Sequence, residues 1–313
     1  MNAFPSVAVI DIGSNSIKIL VAQRTSEGQL TARFYKTLDA RISAGISKAE
    51  PRLSDEGMAR GLAAVKELLT DAAAFVPAKT ILVATSAVRD AANGSDFRQR
   101  IFTETGYAVR ILSGDEEANL IGRGLTCDPA LVGLRDFHLF DLGGGSLECL
   151  SFQERTIKQA LSLQLGCVRL TERCVADPKK AFTSEACLRV SELVREHLAK
   201  SGYTFDLPPG AIAVGTGGTL TTARIILAAR VGKKLEDTSS VITVEQLREL
   251  LDLIGGVDLE TRKRIPGVPA GRADVMPAAL ATFIALAEFG GIQSFTNSLY
   301  NLRWGVADEA LGT

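Results

Sequence analysis

Residues 137–148 read FHLFDLGGGSLE, an apolar run that ends in Asp141, followed by three glycines, Ser146 and then alternating residues. This pattern predicts a strand, a tight turn and a second strand. The glycines remove side chains where the backbone must approach another group, and successive N–H groups in such a turn suit an anion. Asp141 adds a carboxylate at the strand end, a position that fits a metal ion bridging to that anion.

The same pattern occurs at the N-terminus, where residues 7–16 read VAVIDIGSNS. Asp-(Ile/Leu)-Gly-x-x-Ser therefore appears twice, beginning at Asp11 and at Asp141. A third glycine turn, GTGGT at residues 215–219, follows another apolar run. A single glycine turn is usually an ordinary hairpin, but two copies with an aspartate in register, together with a third turn, are hard to explain in that way.

Composition indicates a globular protein with two domains of ordinary size. The chain has 313 residues, 46% hydrophobic and 23% charged, with a net charge of −1, which gives no global electrostatic case for nucleic acid or membrane binding. The N-terminus lacks the basic region of a signal peptide, and the longest apolar stretch, at 278–287, is too short to span a bilayer. Five cysteines without a CxxC pair and two separated histidines argue against a zinc site. We expect a cytoplasmic protein with reduced thiols.

The order of elements predicts an α/β fold made of two copies of one unit. Three strand-like runs precede a helix capped by Ser54, a strand at 80–84, a helix capped near Ser95, a strand at 108–112 and a helix that opens at Ser113. After residue 126 the series begins again, interrupted by an insertion at about 237–290 that is expected to be helical. Two such units that face each other would place both hairpins across a cleft.

The helix at Ser113 carries a candidate general base. Ser113 and Glu116 have the Ser-x-x-Glu spacing of a capping box, which makes Glu116 structural. Glu117 shares the apolar stripe of the helix with Leu120 and Ile121, so it is predicted to point inward. An inward carboxylate is costly unless it has a function or a partner. The alternative is that Glu117 reaches the rim or pairs with an arginine.

Arg89 is the nearest basic candidate for a phosphate ligand, since it follows the predicted strand at 80–84 and a short turn. The alternative is a solvated arginine at the start of a helix. Basic pairs at 179–180 and 233–234 and the run at 262–264 would suit an extended anionic ligand, although such groups are more often solvated surface.

Seven segments together resemble the exopolyphosphatase/guanosine pentaphosphate phosphatase family, within the superfamily of actin, sugar kinases and chaperone ATPases. They are VAVIDIGSNSIKILVA, ATSAVRDAANGSDF, ILSGDEEANLI, FDLGGGSLE, LGCVRLTE, VGTGGT and RADVMPAAL. They run in family order from residue 7 to residue 280. The resemblance implies two ribonuclease-H-like domains that flank a cleft, at 1–126 and 127–301, with a closing helix at 302–313 that packs back on the first. It also implies a homodimer.

The activity implied by the resemblance is hydrolysis of a terminal phosphoanhydride with Mg²⁺, in which Glu117 activates water. The substrate would be inorganic polyphosphate or the 5′ end of guanosine pentaphosphate. The residues implied are Glu117 and Arg89 for catalysis; Gly13, Ser14, Asn15, Ser16, Gly143, Gly144, Gly145, Ser146, Gly217, Gly218 and Thr219 for phosphate; and Asp11, Asp141 and Glu148 for the metal.

One departure from the family bears on the substrate. Some relatives carry further C-terminal helical domains, including a metal-phosphohydrolase-like one, and we expect this chain to lack them and to favour short polyphosphate. Guanosine pentaphosphate hydrolysis is the main alternative. A superfamily kinase or ATPase is a more distant one, because a water-activating carboxylate is a liability in a kinase. A non-catalytic sensor of guanosine polyphosphates is the last.

Overall fold

Two mixed sheets form where the sequence predicts the repeated hairpins, one in each of two units. The computed structural model of the protein describes residues 4–208 and 211–312. Unit 1 contains the chain up to Gly133 and the segment from Tyr300 onward, and unit 2 contains Leu134–Leu299. These junctions lie a few residues from the predicted domain boundaries, and the division into independent domains at 126 and 301 stays a prediction.

Within its described residues, unit 1 is built from a first set of elements. They are β1 (Ser6–Ile12), β2 (Ile17–Arg24), β3 (Leu30–Leu38), α1 (Asp55–Ala73), β4 (Lys79–Ala84), α2 (Ser86–Arg89), α3 (Gly94–Thr105), β5 (Val109–Ile111), α4 (Gly114–Thr126) and, from the end of the chain, α11 (Leu302–Leu311).

Unit 2 repeats the series with additions. Its described elements are β6 (Phe137–Leu142), β7 (Leu147–Gln153), β8 (Thr156–Leu163), α5 (Cys167–Cys174), α6 (Ser184–Ser201), β9 (Ile212–Thr216), α7 (Gly218–Arg230), β10 (Val241–Thr243), α8 (Val244–Gly255), α9 (Leu259–Arg262), α10 (Met276–Gly290) and β11 (Ser294–Asn297).

The two sheets share the topology of five strands, to which unit 2 adds β10. The order is β3-β2-β1-β4-β5 in unit 1 and β10-β11-β9-β6-β7-β8 in unit 2. In each, three antiparallel strands form a meander, and the first of them pairs in parallel with a later strand, β1 with β4 and β6 with β9. The prediction of a duplicated α/β unit is therefore confirmed at the level of strand pairing.

The central strands are apolar because both faces of each sheet are covered. Every residue of β1 and of β6 is buried, which matches the continuous apolar runs expected of strands without a solvated face. In unit 2 the cover includes α10, which packs on α6 and α8 and is buried from Met276 to Ala287. In the described residues no helix is both long enough and apolar enough to cross a membrane.

Helices α4 and α11 cross at backbone contact in unit 1. A Cβ added to Gly124 would lie 2.0 Å from the carbonyl oxygen of Asn301, and one added to Gly305 would lie 1.8 Å from that of Leu120. Only glycine permits this separation. The last helix is thus packed directly on the helix that carries Glu117, and it also contacts β1.

Three details differ from the sequence predictions. Asn93 precedes α3 in place of Ser95, and its side chain bonds both backbone groups of Leu53 instead of capping the helix. The insertion is not purely helical, since β10 within it pairs antiparallel with β11 and extends the sheet. Arg262, which the sequence allowed as part of a basic path, is 1% exposed and donates to backbone carbonyls.

His138 lies in an aromatic cluster in unit 2. Its Nδ1 is 2.7 Å from the hydroxyl of Tyr203, and that hydroxyl donates to the Leu150 carbonyl at 2.7 Å. The rings of Phe140 and Phe205 lie 6.0 Å and 5.2 Å from the imidazole, centroid to centroid. Burial lowers the pKa of His138 below its ordinary value, and the charge of Asp206 opposes this effect.

We expect acid to destabilise the protein through His138. The unfolded chain binds a proton on this imidazole below about pH 6.5, whereas the folded chain does not until the pH reaches the lowered pKa. Stability is therefore lost as the pH falls through that window, with a slope of about 1.4 kcal/mol per pH unit for one proton. Urea unfolding between about pH 5 and 7.5 should show a shallower dependence in His138→Gln. Equal slopes in the two proteins would contradict the assignment.

Candidate functional site

The turn between β1 and β2 is held from outside by the segment that follows β3. The amide of Gly13 donates to the carbonyl of Ser16 at 3.2 Å and closes the turn. The amide and hydroxyl of Ser43 both donate to the carbonyl of Ser14, at 3.3 and 3.0 Å. The Ser14 hydroxyl also lies 3.2 Å from that of Ser86, at the start of α2. Because the carbonyls of Ser14 and Ser16 accept these hydrogen bonds, the backbone of the turn is fixed. A fixed turn of this kind is suited to an anion.

Asp11, next to the last residue of β1, is a buried carboxylate. It is 9% exposed, and its Oδ1 has no hydrogen-bond partner. Burial raises the pKa of Asp11, an effect that the charges of Lys18 and Arg303 oppose. Lys18 is its direct partner in the β1–β2 register, so the two side chains lie on one face of the hairpin. An orphaned buried oxygen of this kind is costly and indicates a ligand position.

Glu117 and Arg89, the two predicted catalytic residues, are in contact. Glu117 lies in the first turn of α4 and is 6% exposed. Nη1 of Arg89 donates to its Oε2 at 2.7 Å and to the Leu112 carbonyl at 3.1 Å. Both halves of the predicted capping box are present, since Ser113 and Glu116 bond each other's backbone amides. The inward direction of Glu117 is thus as predicted, and the alternative of a pairing arginine is also realised.

The turn between β6 and β7 repeats the first turn in unit 2. The amide of Gly143 donates to the carbonyl of Ser146 at 3.0 Å, as Gly13 does to Ser16.

The start of α5 holds this turn from outside. The amides of Cys167 and Val168 donate to the carbonyls of Gly143 and Gly144, at 3.0 and 2.9 Å. Nε of Arg169 donates to the carbonyl of Gly145 at 3.1 Å. Ser146 is buried within this turn.

An acidic pair replaces the mixed pair of unit 1. Asp141 stands opposite Glu148 in the β6–β7 register, where Asp11 stands opposite Lys18. Both carboxylates are buried, at 8% and 1% exposure, and Ser162 donates to Oε1 of Glu148 at 2.8 Å. Two carboxylates on one face suit a hard divalent cation. The three predicted metal residues are therefore not equivalent, because the neighbour of Asp11 on its strand pair is a cation.

The third glycine turn lies against this acidic pair. A Cβ on Gly217, which has a φ of +85°, would lie 2.4 Å from Oδ1 of Asp141, so a side chain would fill the space at the carboxylate. The hydroxyls of Thr216 and Thr219 are buried without a hydrogen-bond partner. The backbone of the turn can therefore come close to a ligand. The side chain of Thr219 cannot, because it is wholly buried.

Sequence reasoning missed Arg272. A Cβ on Gly218 would lie 1.8 Å from Nη1 of Arg272, so this guanidinium covers the start of α7. The available signal was the segment RADVMPAAL, which contributed to the resemblance without a role for its arginine. In the described residues no cluster of three or more histidine, cysteine, aspartate or glutamate side chains could hold a metal by itself.

The chain is similar to known proteins over its full length. The model described as the Ppx/GppA phosphatase family matches residues 20–313. A curated relative, Exopolyphosphatase 2 of Mycobacterium tuberculosis, is 31% identical over 335 residues, covering 99% of this chain and 100% of that protein.

Solved structures agree on the fold. The crystal structure of an exopolyphosphatase from Cytophaga hutchinsonii matches with a TM-score of 0.86 at 22% identity, covering 98% of this chain and 97% of that one. The Aquifex aeolicus member of the Ppx/GppA family matches with a TM-score of 0.78 at 26% identity, covering 99% and 98%. The predicted fold class is confirmed.

We expect Gly166→Ala to destabilise the protein through the β6–β7 turn. A Cβ there would lie 2.3 Å from backbone atoms of Gly144 and Gly145, and backbone cannot rotate away as a side chain can. The cost should be about 1–3 kcal/mol of unfolding free energy, measured by urea denaturation. Gly143→Ala is the matched control, since its Cβ would meet only the Ser146 carbonyl at 3.5 Å. Equal losses in both variants would contradict the close approach.

Proposed function

The chain belongs to the Ppx/GppA phosphatase family, and from this premise we propose that it is an exopolyphosphatase that releases the terminal phosphate of inorganic polyphosphate. Members of this family are phosphoanhydride hydrolases. The Mycobacterium tuberculosis relative, whose whole length matches, is named an exopolyphosphatase. The observation that carries the proposal is the buried carboxylate of Glu117, held by Arg89 at 2.7 Å.

Glu117 acts as the general base on water. Phosphoryl transfer leaves little covalent work for the protein, which has to align the nucleophile and neutralise charge. The Arg89 contact fixes the direction of the carboxylate, so little reorganisation is needed when water binds. A guanidinium has five N–H donors in a fork, and Arg89 can thus orient Glu117 and also approach a phosphate oxygen. Transition-state charge on that oxygen is stabilised by such a fixed cation.

The two glycine turns bind phosphate oxygens through backbone amides. Outer hydrogen bonds fix both turns before substrate arrives, which lowers the ordering cost of binding. Arg272, beside Gly218, adds a cation for substrate in unit 2. We assign the same function to Ser14, Asn15 and Ser16 in the first turn, to Gly144, Gly145 and Ser146 in the second, and to the backbone of Gly217 and Gly218, but not to the side chain of Thr219.

Asp141 and Glu148 fit a magnesium ion. Mg²⁺ usually takes one or two protein carboxylates and fills its other positions with water and substrate phosphates, which agrees with a pair of acids in place of a larger cluster. The ion would supply neutralisation of charge on the phosphate oxygens. Asp11 in unit 1 has an unpartnered Oδ1, but Lys18 stands opposite it. We therefore propose that Asp11 orients water and cationic side chains at the first turn and does not bind the metal directly.

We also propose a preference for short chains. A long polyphosphate needs an extended row of cations. Arg262, in the basic run at 262–264, cannot contribute to such a row because its guanidinium donates to four backbone carbonyls. These belong to Ile254, Val257, Lys180 and Ala273.

Phosphate release tests the proposal. The purified protein is incubated with Mg²⁺ and, separately, with short polyphosphate, long polyphosphate and guanosine pentaphosphate. We expect release from polyphosphate, faster per chain end from the short substrate, and loss of release when the metal is chelated. Release from the nucleotide alone would overturn the exopolyphosphatase assignment and favour guanosine pentaphosphate hydrolysis. Equal rates on both chain lengths would overturn the preference.

We expect Glu117→Gln to lower kcat by about 10²–10⁴, the usual contribution of a general base, with a smaller change in KM. Glu116→Gln is the matched control. It neutralises the adjacent carboxylate, which is exposed, and glutamine can keep the capping box. Its turnover should stay near that of the wild type. A Glu117→Gln enzyme with wild-type turnover would remove Glu117 from the mechanism.

A further inference from the structure

A cavity of about 420 Å³ lies in unit 2 between α7, α8 and the segment that leads into β10. Its lining includes Arg224, Leu227 and Val231 from α7, Val241 from β10, and Gln246 from α8. This volume falls within the range of roughly 300–1,000 Å³ that is usual for small-molecule pockets. The lining contains no residue of the glycine turns or of the acidic pair, so the cavity is separate from the groups assigned to hydrolysis.

Arg224 brings a buried positive charge to this cavity. The residue is 9% exposed. Its guanidinium donates to Asn297 Oδ1 at 3.3 Å and to the carbonyls of Leu235 and Thr238 at 3.0 and 3.2 Å. These acceptors are all neutral, and Nε has no acceptor at all. The charge of Glu236 acts on this guanidinium, but the acceptors of its hydrogen bonds carry no charge. An anion in the cavity would supply a charged acceptor.

Arg262 shows that the fold can bury an arginine for purely structural use. It is more deeply buried than Arg224, and its Nε, Nη1 and Nη2 all donate to backbone carbonyls. It does not line this cavity. Arg224 differs in both respects, because one donor is left without an acceptor and the side chain borders a cavity. A purely structural role therefore explains the burial of Arg262 but not that of Arg224.

The other lining residues indicate an organic ligand. Arg230 lies at the cavity and is held only loosely by Glu249, at 3.7 Å, with both side chains half exposed. Leu227, Val231 and Val241 form an apolar wall. The lining holds two arginines and one glutamate, and Glu236 acts on Arg224 from outside it. The two guanidinium groups suit an anionic group, and the wall suits an apolar body.

We propose that this cavity binds a small organic anion, whose phosphate or carboxylate group pairs with Arg224 and whose apolar part lies on Leu227, Val231 and Val241. A bidentate contact between a guanidinium and either group has the same geometry. The two ligand chemistries are therefore separated by the probes in the experiment.

Calorimetric titration of the whole protein tests the site. The probes are AMP, hexanoate and inorganic phosphate, each with a chelator present so that metal-dependent binding does not contribute. We expect AMP or hexanoate to bind the wild type, with inorganic phosphate competing if the phosphate ester is preferred. Absence of binding by both organic probes would overturn the proposal.

Two variants separate the charge from the cavity. Arg224→Met removes the cation, and Val231→Trp fills the space from a position that is 63% exposed and tolerant of change. Each should weaken the bound probe at least tenfold without altering hydrolysis of polyphosphate. Arg264→Met, at an exposed arginine of the same unit, is the control and should keep wild-type affinity. Unchanged affinity in either folded variant overturns the proposal, and if Arg224→Met does not fold, Val231→Trp decides alone.

Discussion

The closure of a four-residue turn by a backbone hydrogen bond is the constraint on which both units depend. Gly13 bonds Ser16 and Gly143 bonds Ser146, and each bond sets the register of a hairpin whose first strand lies in the centre of its sheet. Because the strand before each turn is buried along its whole length, the aspartate near the end of that strand is shielded from solvent. Sheet, turn and carboxylate are thus fixed together.

The same scaffold holds opposite charges in its two copies. A lysine faces the aspartate in unit 1, and a glutamate faces it in unit 2. A change of one side chain at one register position thus replaces a pair of opposite charges with two carboxylates. The two hairpins thus share their strand pairing and turn closure, whereas residues 18 and 148 give them different charges.

Local pattern determined what could be predicted. The hairpins follow from glycine and aspartate spacing, and the inward direction of Glu117 follows from the apolar stripe and the capping box. Contacts between distant segments left no local signal. The pairing of Arg89 with Glu117 depends on how α2 ends beside α4, and Asn93 leaves its helix for the backbone of Leu53. Arg272 reaches Gly218 through the insertion, whose short strand β10 has too few residues to show a period.

The packing of α11 on α4 has a consequence for synthesis of the chain. Unit 2 is continuous, whereas unit 1 is completed by residues from Tyr300 onward. A ribosome releases the chain from the N-terminus, and domains generally fold as units during that process. The glycine-to-backbone crossing at Gly124 and Gly305 cannot form until all of unit 2 and then residue 305 have emerged. The first unit to begin synthesis is therefore completed after the second, and the helix that carries Glu117 lacks its packing partner throughout the synthesis of unit 2.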